Sequence, residues 1–301
     1  MIALVDRAGR VRQRRCAKML WNRPALATLE PCLRAVADLL ELAGDEGLVV
    51  RGLGVALPGS LDSTSRRPTV ISALPALNNF PLADLLEARY KLPAVLRVDV
   101  DAAALGEYHF GSGRGFRRLL LLSANAVVGA SLIENGQIEP ISQSMIGHIA
   151  HLPVANNGPR CSCGKRGCIN TLVTLDALQR AIQRALRRGE TTSLLRRLNV
   201  NGERFSLQLL AEESAAGDML ATQMYDEVRR WLGIASARYI DLFEPNALLL
   251  GGIFSSSTTL LTGIQNSLGS NSSARVCSMV EVATASLGRD AQLLGAAVSL
   301  L

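Results

Sequence analysis

The chain is expected to fold as an α/β protein, and three stretches carry that expectation. Leu48–Leu57 is a largely apolar run containing Gly52 and Gly54, Ala94–Val98 runs into Asp99-Val100-Asp101, and Ala247–Leu250 ends in Gly251-Gly252. Each reads as a buried strand stopping at a turn, and the segments between them place apolar residues at helical intervals. Strands alternating with helices argue for sheets covered by helices, in which ligands sit beyond the C-terminal strand ends.

In chain order, Met1–Val5 reads as a strand entering a turn at Asp6–Arg10, with Arg12–Met19 returning beside it. Pro24–Ala43 has helical spacing at Leu26, Leu29, Leu33, Val36, Leu39 and Leu40, with Gly44 ending it. Leu48–Leu57 delivers Pro58-Gly59-Ser60-Leu61-Asp62 to a turn. Pro81–Tyr90 is expected as a helix, Ala94–Val98 as a strand and Ala102–Phe110 as the next helix. A carboxylate at Asp99 is favoured before a helix N-terminus, where it either reaches a substrate hydroxyl or, like Asp101, serves only as the helix cap. Leu119–Leu122 begins a strand expected to pair, through the turn Glu134-Asn135-Gly136, with Val127–Ile133. Leu175–Arg188, Ser206–Ala216 and Asp218–Phe243 carry amphipathic helical patterns. Val280–Ala283 is a last short strand and Asp290–Leu301 a closing helix. The Gly251-Gly252 pair permits close approach by a nucleotide or sugar, or simply makes a tight turn.

A chain of 301 residues with 48% hydrophobic content has room for a large core, as one large domain or two ordinary ones. No apolar run reaches the roughly 18–20 residues of a membrane span, and Asp6, Arg7 and Arg10 break any secretory pattern, so a soluble cytoplasmic protein is expected. The net charge of +6 is spread over positions such as Arg180, Arg184, Arg187, Arg188, Arg229 and Arg230, which read as solvated helix faces. With 4% aromatics there is no interleaving of bases and stacking rings, which argues against single-strand nucleic-acid binding.

The densest chemistry lies in Cys161-Ser162-Cys163-Gly164-Lys165-Arg166-Gly167-Cys168, preceded by His151. Three thiolates and one imidazole are the four ligands that close a tetrahedral structural zinc site, and Gly164 and Gly167 permit the turns that let the sulfurs converge. A disulfide is the alternative, with Cys16, Cys32 and Cys277 scattered elsewhere. His148 and His151 are three residues apart, and only one nitrogen is needed beside three sulfurs, so one imidazole is free for another task.

These points together resemble the ROK family of bacterial repressors, open reading frames and sugar kinases. The resemblance rests on Pro58-Gly59-Ser60-Leu61-Asp62, on Asp99-Val100-Asp101-Ala102-Ala103-Ala104-Leu105-Gly106-Glu107, on His151 with Cys161, Cys163 and Cys168, on Leu249-Leu250-Gly251-Gly252 and on Leu293-Leu294-Gly295-Ala296-Ala297. It implies an actin-like ATPase (ribonuclease H-like) fold: an N-terminal α/β lobe over 1–110, a C-terminal α/β lobe over 111–285 holding the zinc knuckle 151–168, and a helix over 286–301 packing back on the first lobe. A sugar and a nucleotide would meet in the cleft between the lobes. It implies Asp99 as the general base of a kinase, Pro58, Gly59, Asp99, His148, His151 and Asn170 on the sugar side, and Gly129, Gly251 and Gly252 on the nucleotide side. Zinc would be structural, with ATP and magnesium present only if the chain is a kinase, and the family's habit implies a dimer or tetramer.

Departures from the family pattern shape the functional expectation. The first strand, with its Asp-x-Gly-x-Thr phosphate turn, is not in the sequence, and the second glycine-rich loop is replaced by Asn125-Ala126-Val127-Val128-Gly129. His148-Ile149-Ala150-His151 stands for Glu-x-Gly-His, Asn170 for the glutamate after the last cysteine, and Val98 for the asparagine before the catalytic aspartate. Losing a carboxylate that grips sugar hydroxyls leaves them unpaired, at roughly 1–3 kcal/mol each. Three readings follow: a sugar-sensing regulator with degraded ATP loops, touching DNA only through an N-terminal winged helix missing here; an ATP-dependent sugar kinase for a hexose or N-acetylhexosamine; and a non-catalytic oligomeric scaffold.

Overall fold

A computed structural model of the chain describes residues 1–20, 22–62, 64–139, 149–256, 258–271 and 279–300. Its contacts divide the chain into two compact units, one of Met1–Arg114, Gly136–Ile138 and Arg289–Leu301, the other of Gly115–Asn135 and Glu139–Gly288. Among the described residues no helix is long and apolar enough to cross a membrane.

The first unit opens with an antiparallel pair, Ile2–Val5 (β1) and Val11–Arg15 (β2), whose turn is held by Asp6 Oδ1 accepting the Ala8 and Arg10 amides at 3.0 Å. A long helix, Ala25–Asp45 (α1), follows and runs through Gly44. The expected strand over Leu48–Leu57 is confined to Leu53–Leu57 (β3), paired in parallel with Ala94–Val98 (β6). The reason lies across the ladder. Leu53 donates to the Pro93 carbonyl at 2.8 Å, and Pro93 has no N–H with which to continue the pairing.

After β3 the chain forms a hairpin that was expected only as a loop, Ser60–Asp62 (β4) against Arg67–Val70 (β5). Leu82–Tyr90 (α2) then leads into β6, which passes without a break into Asp99–Phe110 (α3). Leu29, Leu33, Leu57, Ile71, Leu77, Leu82, Leu86 and Leu96 form the core of this region.

The helix Ala291–Val298 (α10) belongs to the same unit and lies across α3 and β3. Small residues set the approach. A Cβ on Gly295 would stand 1.6 Å from the Ala102 carbonyl oxygen, one on Gly106 2.2 Å from that of Ala291, and one on Gly54 2.1 Å from that of Ala296. The backbones are therefore in direct contact, which only glycine allows.

The second unit is built on a mixed sheet. Arg118–Ala124 (β7) pairs antiparallel with Val128–Glu134 (β8) and in parallel with Ala247–Gly252 (β10), and β10 pairs in parallel with Glu281–Thr284 (β11). The turn joining β7 to β8 is not the Asn-Gly turn: the strands meet at Ala124 and Val128, so Asn125–Val127 is the connection. Asn135 and Gly136, with φ of 50° and 82°, come after β8 and lead to Gln137–Ile138 (β9). Leu119–Leu122 in β7 and Leu248–Leu250 in β10 are at most 1% exposed, as expected of strands buried on both faces.

Helices Asn170–Val173 (α4), Leu175–Arg187 (α5), Leu194–Asn199 (α6), Leu207–Ala215 (α7), Met219–Phe243 (α8) and Thr258–Asn271 (α9) complete this unit. Among the described residues, three of these helices start on side-chain caps: Thr174 accepts the Ala177 amide at 3.3 Å, Ser206 that of Leu209 at 3.0 Å and Asp218 that of Ala221 at 2.8 Å. Arg197 on α6 pairs with Glu203, Glu212 and the buried Glu213, which fixes α6 against α7.

Candidate metal centre and strand-end site

The knuckle is a small two-stranded ladder. Pro153 bridges Cys168 and Arg160 bridges Arg166, both antiparallel, and between them Val154 donates to the Gly167 carbonyl at 2.8 Å. At its tip Cys161 N–H bonds Lys165 O at 2.8 Å and Gly164 N–H returns to Cys161 O at 3.0 Å. Gly164 and Gly167 adopt φ of 90° and 66°, and a Cβ on Gly167 would lie 1.7 Å from the Ala155 carbonyl oxygen. Left-handed geometry and close approach thus both demand glycine there.

This turn brings one ligand atom from each of His151, Cys161, Cys163 and Cys168 to within 4.8 Å of one another. His151 Nδ1 is 3.2 Å from Cys161 Sγ, and the Cys163 and Cys168 sulfurs are 3.7 Å apart. With Zn–S bonds of about 2.3 Å, sulfurs at two corners of a tetrahedron stand about 3.8 Å apart, so the spacing fits an ion of that kind. Cys161 and Cys168 are buried, His151 is half-buried and Cys163 is exposed. Burial pushes the Cys161 thiol up, but hydrogen bonds from the Cys163 amide and from the neighbouring side chains outweigh it and bring it down to about 6. Burial, with the other two sulfurs, pushes Cys168 up to about 12. One sulfur is thus disposed to ionise while another resists, the conflict that a cation among them resolves.

In the first unit, Asp99 stands where β6 becomes α3. The N-cap position is Val98, without a side-chain cap, so neither Asp99 nor Asp101 is the capping residue. Asp99 Oδ1 accepts the Val100 amide at 2.8 Å. Burial raises the carboxyl above its ordinary value, and the backbone hydrogen bonds from the Val100 amide and from its own amide only partly oppose the shift. Asp101 is 2% exposed and belongs to the interior. Pro58 and Gly59 form the exposed link from β3 to β4, and Gly59 has φ of 102° with Val70 O 1.9 Å from where a Cβ would stand.

In the second unit, the strand ends gather the three glycines expected on the nucleotide side. Gly251 and Gly129 lie on either side of Ser123, one in β10 and the other in β8. Gly252 has φ of 61° and the Ala124 carbonyl oxygen 2.1 Å from its absent Cβ. Glycine at 252 is therefore required by the neighbouring strand, whereas a Cβ at 251 would meet only side-chain atoms of Leu121 and Ser123 at 3.1–3.2 Å. Ser123, at the centre of this register, is a residue that sequence reasoning passed over, since nothing in Leu121-Leu122-Ser123-Ala124 marks it before the strands are aligned.

Beyond these glycines, Asn125, Ala126 and Val127 are exposed, Val127 at 58%. The amide that follows, Val128 N–H, is taken by Asn170 Oδ1 at 2.9 Å. Asn170, expected on the sugar side, thus spends its carbonyl on the β7–β8 turn. His148 lies outside the described residues.

Chains of similar sequence and fold include proteins of known kind. A glucokinase from Thermotoga maritima is 29% identical over 89% of this chain and 84% of its own. The DNA-binding transcriptional dual regulator NagC of Escherichia coli (strain K12) is 28% identical over 79% of this chain, but the match covers 58% of that longer protein. Among solved structures, a ROK family glucokinase from Streptomyces griseus in complex with glucose and AMPPNP superposes with a TM-score of 0.76 and 27% identity, covering 99% of this chain and 94% of that one. The ROK family profile itself matches residues 1–300, and the chain belongs to the ROK family.

Proposed function

We propose that this ROK protein senses a sugar or sugar derivative in the manner of the family's regulators, with little or no phosphoryl transfer. One observation carries the reading: the state of the β7–β8 turn. A phosphate cradle needs backbone amides free to point at the anion and no side chain in the way. Here the branched Val127 projects from the turn and the Val128 amide is bonded to Asn170 at 2.9 Å. Phosphoryl transfer depends almost wholly on positioning and on charge stabilisation around the phosphates, so a turn that presents neither is a poor catalyst. The knuckle holds a structural zinc through His151, Cys161, Cys163 and Cys168, a closed set with no position left for substrate. Assembly as a dimer or tetramer goes with this reading.

The kinase reading is favoured by Asp99. A half-buried carboxyl with a raised pKa, at a strand end and held by backbone amides, suits a general base for a sugar hydroxyl, with ATP and magnesium supplying the phosphoryl group. Coupled assays with ATP and a panel of hexoses and N-acetylhexosamines, run beside calorimetric binding of the same sugars, decide between the two. Binding of at least one sugar without turnover is expected. Turnover that Asp99→Asn abolishes would overturn the regulator reading.

A further inference from the structure

We propose that Asn170 is a positioning residue through which metal occupancy of the knuckle sets the geometry of the β7–β8 turn. The proposal rests on the metal reading above, and its test separates the two.

Asn170 stands two residues beyond the last ligand, Cys168. Its N–H bonds the carbonyl of Ala150, the residue before the first ligand, at 3.1 Å, and Ile169 N–H bonds Leu152 O at 2.9 Å. With the Pro153–Cys168 bridge, the chain entering the knuckle is zipped to the chain leaving it. An ion shared by His151 and Cys168 ties the same two strands at the same place. The other side of the Asn170 peptide is also held: its carbonyl accepts Thr174 Oγ1 at 3.0 Å, and Thr174 caps α5. With both backbone groups committed to the knuckle and the cap, the side chain alone reaches outward, 42 positions back along the sequence, to Val128 N–H at 2.9 Å.

Val128 is 1% exposed, so water cannot substitute as acceptor for its amide. A loaded knuckle holds the zipper shut, keeps Asn170 in place and turns the Val128 amide inward. An empty knuckle leaves three sulfurs and an imidazole within 4.8 Å joined only by weak sulfur hydrogen bonds; the zipper frays from that end, Asn170 shifts, and the Asn125–Val127 turn is released. In the family resemblance this turn lies at the nucleotide side, so the metal governs a site that it does not touch.

The test is residue-resolved amide hydrogen exchange on the zinc-loaded and chelator-stripped protein, with metal content measured on each sample. In the wild type, stripping zinc should speed Val128 exchange by at least about tenfold, while Leu249 in the centre of the sheet stays protected. Asn170→Ala should exchange quickly at Val128 in both metal states while retaining its zinc. Asn170→Asp keeps an acceptor at the same distance and should restore the metal-dependent pattern. Val128 exchange that is unchanged when zinc is demonstrably lost, or protection lost equally at Leu249, overturns the coupling alone; a protein that takes up no zinc overturns the coupling and the metal reading together. The wild-type comparison requires no variant to fold.

Discussion

Gly295→Ala is the perturbation whose cost follows most directly from the geometry. The new methyl carbon would start 1.6 Å from the Ala102 carbonyl oxygen, 2.5 Å from its carbon and 2.7 Å from the Gly106 nitrogen. All three are backbone atoms, so no side chain can swing aside. Opening from 1.6 Å to the 3.0 Å that real contacts respect moves α10 from α3 by about 1.4 Å. A gap of even 0.5–1 Å forfeits roughly a quarter to a half of each dispersion contact, and the crossing includes the buried Ala102, Ala291, Leu294 and Ala296. Overpacking usually costs about 1–3 kcal/mol, and with rigid groups on both sides the expected loss here is about 3 kcal/mol or more. The assay is urea unfolding followed by circular dichroism, with a tryptic-sensitivity measurement on residues 1–114 to show which unit has loosened. On the sugar-sensing function proposed above, sugar affinity should fall as well, because Ala102 lies three residues beyond Asp99. A loss under about 1 kcal/mol with affinity intact would refute direct backbone contact at this crossing.

Two further outcomes are expected. Metal analysis of the purified protein should find about one equivalent of zinc, and a chelator should lower the melting temperature by about 10 °C or more; less than about half an equivalent, or no change on chelation, removes the metal assignment. Asp99→Asn should stabilise the protein by a few degrees at pH 8 and by progressively less as the pH falls toward 3.8, the carboxyl's ordinary value. The sign follows from burial: the raised folded-state pKa contributes stability at low pH that is lost as pH rises through it, and the neutral amide carries no such penalty. Melting curves across that range check it, and a variant less stable at pH 8 contradicts it.

The parts of the fold legible in the sequence are those whose cause is local. Thr174, Ser206 and Asp218 cap α5, α7 and α8 close to where the amphipathic patterns begin, and Ala94–Val98 appears as a strand with the expected ends. Elsewhere the deciding partner is distant. The shortening of β3 is decided by Pro93, forty residues on. Asn135-Gly136 is a strong turn signal, but the sequence does not say which strands it separates, whereas the less conspicuous Asn125–Val127 makes the tight connection. The Ser-, Thr- and Asn-rich α9 has little intrinsic helical preference, and Leu260, Ile264 and Leu268 hold it by burial at the expense of propensity. In the site, the convergence of His151 with three cysteines was foreseeable from residue type and spacing. The bond from Val128 to Asn170 was not, because an asparagine carries no sign of which distant amide it will meet.

The crossing of α10 with α3 also bears on the order in which the protein is made. Synthesis runs from the N-terminus, and Gly115–Gly288, apart from the short return at 136–138, is made before residues 291–298 exist. The second unit uses none of the residues of that helix, whereas α3 and β3 lack, until the end of synthesis, the helix that covers Ala102, Gly106 and Gly54. Until then that backbone face is open to chaperones and proteases. A released chain truncated before residue 291 should carry a folded sheet around β7 and β10 and an unfinished first unit that includes Asp99, so the carboxylate is set in place only when the last helix arrives.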